Sequence, residues 1–446
     1  VSAASLQTSS ESEAPGASKA YRTYVVWLLF CIALINFFDR QIVNILAEPI
    51  KRDLGLSDLQ LGLLTGLAFA SLYTITGIPI AIIADRTNRA RVITGALLVW
   101  STFTAACGLA QNYTQLLLAR VVVGLGESGC QPPSLSLIAD YAPKEKRASS
   151  MGTYSLGISV GGLVALALGG VLADQFGWRV AFFLAGVPGI LLAVVAGLTL
   201  KDPRSGVSDR PPARSVRECF AELRGNSVFW WVCLASAAKA LVSYGQVAFL
   251  GSFFLRVHNE GLAKVAGQIG DVTGLHLGPL AMVGLGLGLI SGIGGVFGTW
   301  LGGYLGDRLG RRDATNLLLI PAIAAPLSIP FQVAAFLAPD TGTALLLLIP
   351  PGVLGSLWLG PTFAALQSVV RPDTRATAAS LQSSFVLFLG LGLGPLLVGG
   401  ISDALAVSLG EAGGVRWSLV TCSMFGLVAA ALFWAGSRNL KAAVIS

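Results

Sequence analysis

Five charged side chains stand inside otherwise apolar runs of this 446-residue sequence: Asp39, Arg40, Arg120, Glu127 and Lys239. Each costs about 2.5 to 3.5 kcal/mol at the centre of a membrane helix, so each needs a partner or a wet cavity. Arg120 and Glu127 are seven residues apart, which puts them on nearly one helical face, about 10 Å apart along the axis. Both can therefore line one cavity. Adjacent residues on a helix diverge by about 100°, so Asp39 and Arg40 point different ways. Asp39, at a depth comparable to Arg120, is expected to pair with it. Three bases against two acids leave a surplus cation, which suits the binding of an anionic headgroup.

Glu127 lies among Gly124, Gly126 and Gly129, which permit close helix approach, and it is a candidate proton carrier together with Asp39. Lys239 has no acidic partner in its own helix. It either contacts the headgroup or carries its charge to water on its long stem. Tyr154, Gln246 and Gln382 are chosen as further substrate-binding candidates from a wider set of polar and aromatic residues. The plainer reading of all these groups is that they hold helices together.

The elements that must position them are membrane helices. The chain is 54% hydrophobic and 12% charged, with a mean hydropathy of +0.73, against roughly 25% charged residues in a soluble domain. A water-soluble fold is excluded. Spans need about 20 apolar residues, and apolar runs starting near residues 22, 59, 92, 114, 147, 179, 226, 280, 314, 342, 375 and 416 predict twelve. The expected organisation is a disordered tail (1–18) in place of a signal peptide, a six-helix bundle (19–200), a linker (201–225), a second six-helix bundle (226–437) and a tail (438–446). With both termini inside, inner segments hold 21 of the Lys and Arg residues and outer segments 6. That ratio sets the orientation. It also explains the net charge of +7 without nucleic acid. The six cysteines are scattered and read as packing residues.

The halves repeat. Asp85 and Asp307 are 222 residues apart within similar segments, Ala81–Arg91 and Gly303–Asp313. Pro143 to Ala148 echoes Pro372 to Ala376, and Gly169-Gly170 with Asp174 echoes Gly399-Gly400 with Asp403, at offsets near 229. Repeated halves joined by a basic linker are the layout of transporters that rock about a central site.

Other chemistry is poorly supported. Gly124 to Gly129 spells G-x-G-x-x-G, but it lies in an apolar helix with no strand before it. Its G-x-S-G core resembles an intramembrane protease motif, yet His258 and His276 fall in an outer loop, expected to be mobile, between the seventh and eighth helices. No phosphate loop or metal-ligand cluster is present in the sequence.

These motifs resemble the major facilitator superfamily. Its cytoplasmic G-x-x-x-D-R-x-G-R-R signature is matched by Gly303, Asp307, Arg308, Gly310, Arg311 and Arg312. The first copy has Ala81 and Asn88 in place of two glycines. Arg120 and Gly124 match the fourth-helix R-x-x-x-G signature, whereas the antiporter pattern is incomplete at Gly157 to Gly162. More narrowly, Asn36 to Arg40, Arg120 to Pro133 and Asp140 to Pro143 look like the Spinster branch. That resemblance implies a fold of two pseudo-symmetric six-helix bundles, transport of lysophospholipids or sphingolipids, including sphingosine 1-phosphate, and export or flipping over uptake. It also implies cytoplasmic gate latches at Asp85, Arg86, Arg89, Asp307, Arg308, Arg311 and Arg312.

The expected protein is an all-α, multi-pass transporter of an anionic amphiphile. It works as a monomer in the cell (inner) membrane, without enzymatic activity or cofactor, with protons and membrane lipid as partners. The rivals are a porter for small organic anions or drugs and a membrane enzyme acting on lipid.

Overall fold

Polar breaks between the apolar runs supply the caps that start the helices. Ser18, Ser57, Asn88, Asn112 and Asn226 each accept a hydrogen bond from a backbone N–H two or three residues into the helix that follows, satisfying a donor that would otherwise lack a partner. The computed structural model describes residues 18–143, 146–203, 216–274, 277–371 and 374–443. Residues 1–17 and 444–446 of the tails, most of the linker, Lys144, His276, Pro372 and Asp373 lie outside the described residues, as does the side chain of Asp85.

The first half comprises α1 (Lys19–Leu54), α2 (Asp58–Gly62), α3 (Ala68–Arg86), α4 (Arg89–Cys107), α5 (Tyr113–Glu127), α6 (Gln131–Tyr141) and α7 (Arg147–Thr199). A short helix, α8 (Val216–Arg224), precedes the second half. That half comprises α9 (Ser227–Val257), α10 (Asn259–Thr273), α11 (Pro279–Gly310), α12 (Asn316–Leu337), α13 (Thr341–Leu347), α14 (Ile349–Leu354), α15 (Leu359–Ser368), α16 (Arg375–Phe385) and α17 (Leu393–Ala443). Wider π turns, Leu63–Leu67 and Val386–Gly392, join α2 to α3 and α16 to α17.

Twelve passes emerge once the long helices are divided. α7 breaks at Gly177 (φ 80°) and α17 at Gly410 (φ 71°), a backbone region that side chains with a Cβ rarely adopt. α5 and α6 form one pass around a turn at Ser128 to Cys130, and α13 to α15 form another. The face where α1 begins and α17 ends is called terminal below, and the opposite face distal.

One expectation is corrected. The segment after His258 is the helix α10 and not a mobile loop, because Leu262 and Ala266, four residues apart, bury one face of it against the bundle. Its glycines had suggested a loop, but only Gly274 (φ 73°) ends the helix.

The glycines of G-x-G-x-x-G do the work of packing. A Cβ on Gly124 would collide with the Phe69 backbone, and one on Gly126 would sit 2.8 Å from the Trp100 nitrogen. α5 thereby lies directly against α3 and α4, and Glu127 is carried into the centre of the first half.

Candidate functional site

Arg40 on α1 meets Glu127 on α5, with Nε and Nη2 donating to the same carboxylate oxygen at 3.0 and 2.7 Å. Its guanidinium also lies over the rings of Phe37, Phe69 and Tyr73, 5.2, 5.0 and 5.1 Å from their centroids. Cation–π contact of this kind holds the charge where water is scarce. Arg120 lies over Phe69 as well, at 5.4 Å. The two arginines thus share one aromatic ring.

The expected Asp39–Arg120 ion pair is replaced by this arrangement. Arg120 donates to the backbone carbonyl of Asp39, at 3.4 Å, and the Asp39 carboxylate is buried facing Thr104 and Trp100 of α4. The reason is rotational. The turn of α1 that sends Arg40 toward Glu127 sends Asp39 toward α4. Arg120 Nε and Nη2 are buried without a hydrogen bond. Buried polar atoms are nearly always paired, and sites where they are not are commonly functional.

The remaining candidates spread out. Lys239 is buried in α9, and its Nζ donates to Ser243 Oγ at 3.3 Å. Gln246 exchanges amide hydrogen bonds with Gln332 and donates to Ser423 Oγ at 3.0 Å, which spends its polar capacity inside the second half. Gln382 donates to Ser236 Oγ at 3.0 Å and keeps its carbonyl oxygen unpaired. Tyr154 is buried in the core of the first half with Cys130.

At the terminal face, Arg89 donates to Asp202 and to Asp140, the latter at 2.7 Å, and also to Ser136. These contacts stay within the first half and the start of the linker. Arg86, Asp307, Arg311 and Arg312 are exposed, and Arg308 donates to Tyr304 on its own helix at 3.0 Å. Among the described residues, nothing in this set joins the two halves.

The inter-half hydrogen bonds and ion pairs among the described residues lie at the distal face. Arg256 on α9 pairs with Glu48 on α1 and with Asp58 on α2, each at 2.7 Å. Lys51 joins Asp58 at 3.0 Å and Glu411 at 3.2 Å, and Ser402 donates to Asp58 at 2.6 Å. Reading the sequence for orientation counted Lys51 and Arg256 only as topology charges, and no signal singled out Glu48 or Asp58. Among the described residues, side chains of both halves tie the distal side shut.

The family model described as the Major Facilitator Superfamily matches residues 29–395. An "MFS-type efflux pump" of Mycolicibacterium smegmatis is 31% identical over 430 residues, 94% of each chain. "Protein spinster homolog 1" of Rattus norvegicus is 27% identical over 437 residues, 94% of this chain and 81% of that one. The crystal structure of a bacterial homologue of the human lysosomal transporter Spinster, inward-facing and unoccupied, superimposes with a TM-score of 0.85 at 31% identity. It covers 96% of this chain and 100% of that chain.

Proposed function

The chain belongs to the major facilitator superfamily, and from that premise we propose that it is a proton-coupled secondary transporter of an anionic amphiphile such as a lysophospholipid or sphingoid phosphate. The cargo crosses chemically unchanged, by alternating access, with the tail passing through a lateral opening toward lipid. The single observation carrying this reading is the buried pair of arginines on one ring, only one of which is paired with a carboxylate. A proton on Glu127 would displace Arg40 from it, and a phosphate or sulfate headgroup would take its place. Bidentate donation suits such an anion. Asp39 is the second proton-carrying acid in this scheme, and Lys239 extends the basic surface from the other half.

Both termini are proposed to face the cytoplasm, in the inner membrane of the cell, from the distribution of basic residues. In that orientation the terminal face is the cytoplasmic one. The likeness to an inward-facing Spinster homologue supports it, since both would be closed outside. The efflux-pump relative supports a second reading, export of a small organic anion or drug, which requires no lateral opening.

The test is uptake into proteoliposomes of a panel of lysolipids, sphingoid phosphates and short-chain organic anions, with and without a proton gradient. We expect flux of at least one amphiphile that rises with the gradient, loses that dependence in Glu127→Gln and falls sharply in Arg120→Ala. Flux of short anions alone would favour the second reading. Flux of amphiphiles indifferent to both substitutions would overturn the proposed site.

A further inference from the structure

Two carboxylates that the repeat picks out do the same thing in opposite directions. Asp174, near the distal end of the first pass within α7, accepts from the Ala281 N–H at the start of α11 at 2.7 Å. Asp403, near the distal end of the first pass within α17, accepts from the Asp58 and Leu59 N–H groups at the start of α2 at 2.9 and 2.8 Å. Each side chain reaches from one half to the first amides of a helix in the other. Free amides at a helix start favour an anion, because the helix dipole puts positive charge there.

The backbone contacts beneath them repeat too. A Cβ on Gly170 would meet the Leu280 carbonyl, and one on its counterpart Gly399 would meet the carbonyl of Asp58, the counterpart of Leu280. Gly284 lies against the Leu166 carbonyl, as Gly62 lies against that of Pro395. Two seams, α7 with α11 and α17 with α2, therefore close by one design: glycine against backbone, then a carboxylate over the helix start.

The seams are unequal. Asp58 ties its seam further through Arg256, Lys51 and Ser402, whereas the apolar Leu280 occupies the equivalent place in the other. Below that second seam lies a small void lined by Asn44, Ile45, Leu166, Gly251, Leu287 and Ser291. The second seam therefore has fewer polar bonds, although its close glycine contacts continue at Gly288 against the Leu163 carbonyl.

We propose that Asp174 and Asp403 are paired latches of the distal face, and that the Asp174 seam is the weaker one and parts first when the distal side opens. The inference rests on alternating access and not on the identity of the cargo, so it stands or falls separately from the headgroup site.

Hydrogen exchange followed by mass spectrometry on the full chain in nanodiscs tests it without any cargo. In wild type, amides of residues 279–287 should exchange faster than those of 58–66. Equal rates or the reverse order overturn the proposed sequence of opening. In Asp174→Asn, distal amides of both seams should exchange about fivefold faster, the effect of losing one charged cap. Terminal-face amides near 306–312 should slow, because rocking that opens one face closes the other. Asp403→Asn should do the same more weakly, since the Asp58 ion pairs remain. Faster exchange confined to 279–283, with the terminal face unchanged, would mean a local cap only and would refute the latch, as would no change at all.

Discussion

Arg40 combines two kinds of contact that lysine cannot supply together, a fork of donors on the Glu127 carboxylate and a flat cation over three rings. An Arg-to-Lys change at such a site keeps the charge and loses both geometries. We expect Arg40→Lys to fold normally and to reduce transport about tenfold, the consequence of losing roughly 1 to 2 kcal/mol of oriented contact; initial rates in proteoliposomes check it. The outcome should differ at Arg89. There the guanidinium is buried between Asp202 and Asp140, and removing Asp202 leaves the buried charge with only the partly exposed Asp140 as counter-ion, at a cost of about 1 to 3 kcal/mol. Asp202→Ala should therefore lower the thermal midpoint markedly in detergent, whereas Arg308→Ala, exposed and bonded only to its own helix, should shift stability by no more than about 0.5 kcal/mol.

At the scale of elements, Gly177 and Gly410 connect successive passes with no loop between them, at φ 80° and 71°. Alanine at either position carries a penalty of about 1 to 2 kcal/mol for the left-handed backbone. Gly77 sits in a helix with open space where its Cβ would lie, so Gly77→Ala serves as the control. We expect Gly177→Ala and Gly410→Ala to unfold at lower temperature than wild type in a scanning assay, with Gly77→Ala level or higher. The twelve passes were legible because hydropathy reports where backbone must be satisfied internally. Hydropathy says nothing about how a pass is broken. The turn between α5 and α6 and the two π turns were therefore invisible, and the glycines of α10 hid the Leu262 and Ala266 face that makes it a helix.

For the molecule as a whole, the sequence identified the central acids and bases, since charge in an apolar run is conspicuous. It did not identify their pairing, because helix rotation decides whether Asp39 or Arg40 meets an acid, and that rotation follows from glycine contacts between distant segments. The distal closure was harder still. Its charges lie near span ends, where basic residues are common for topological reasons, and only the fold brings Glu48, Asp58 and Arg256 together across the two halves. Among the described residues Arg256 is the one cation joined to both buried acids, while Lys51 also reaches Asp58 and Arg52 also reaches Glu48. Arg256→Ala should therefore leave Glu48 and Asp58 repelling one another within the closed seam and shift the molecule toward the distal-open state. Spin labels at Asn112 and Lys264, exposed at the distal end of each half, in a Cys31→Ser, Cys219→Ser background, should show a longer distance in this variant. Combining it with Glu48→Gln removes the repulsion but not the lost ion pairs. A return of the short distance in the double variant would assign the opening to repulsion, whereas a persistent long distance would assign it to the missing guanidinium. Unchanged distances in both would show that the Arg256 ion pairs do not hold the distal face shut.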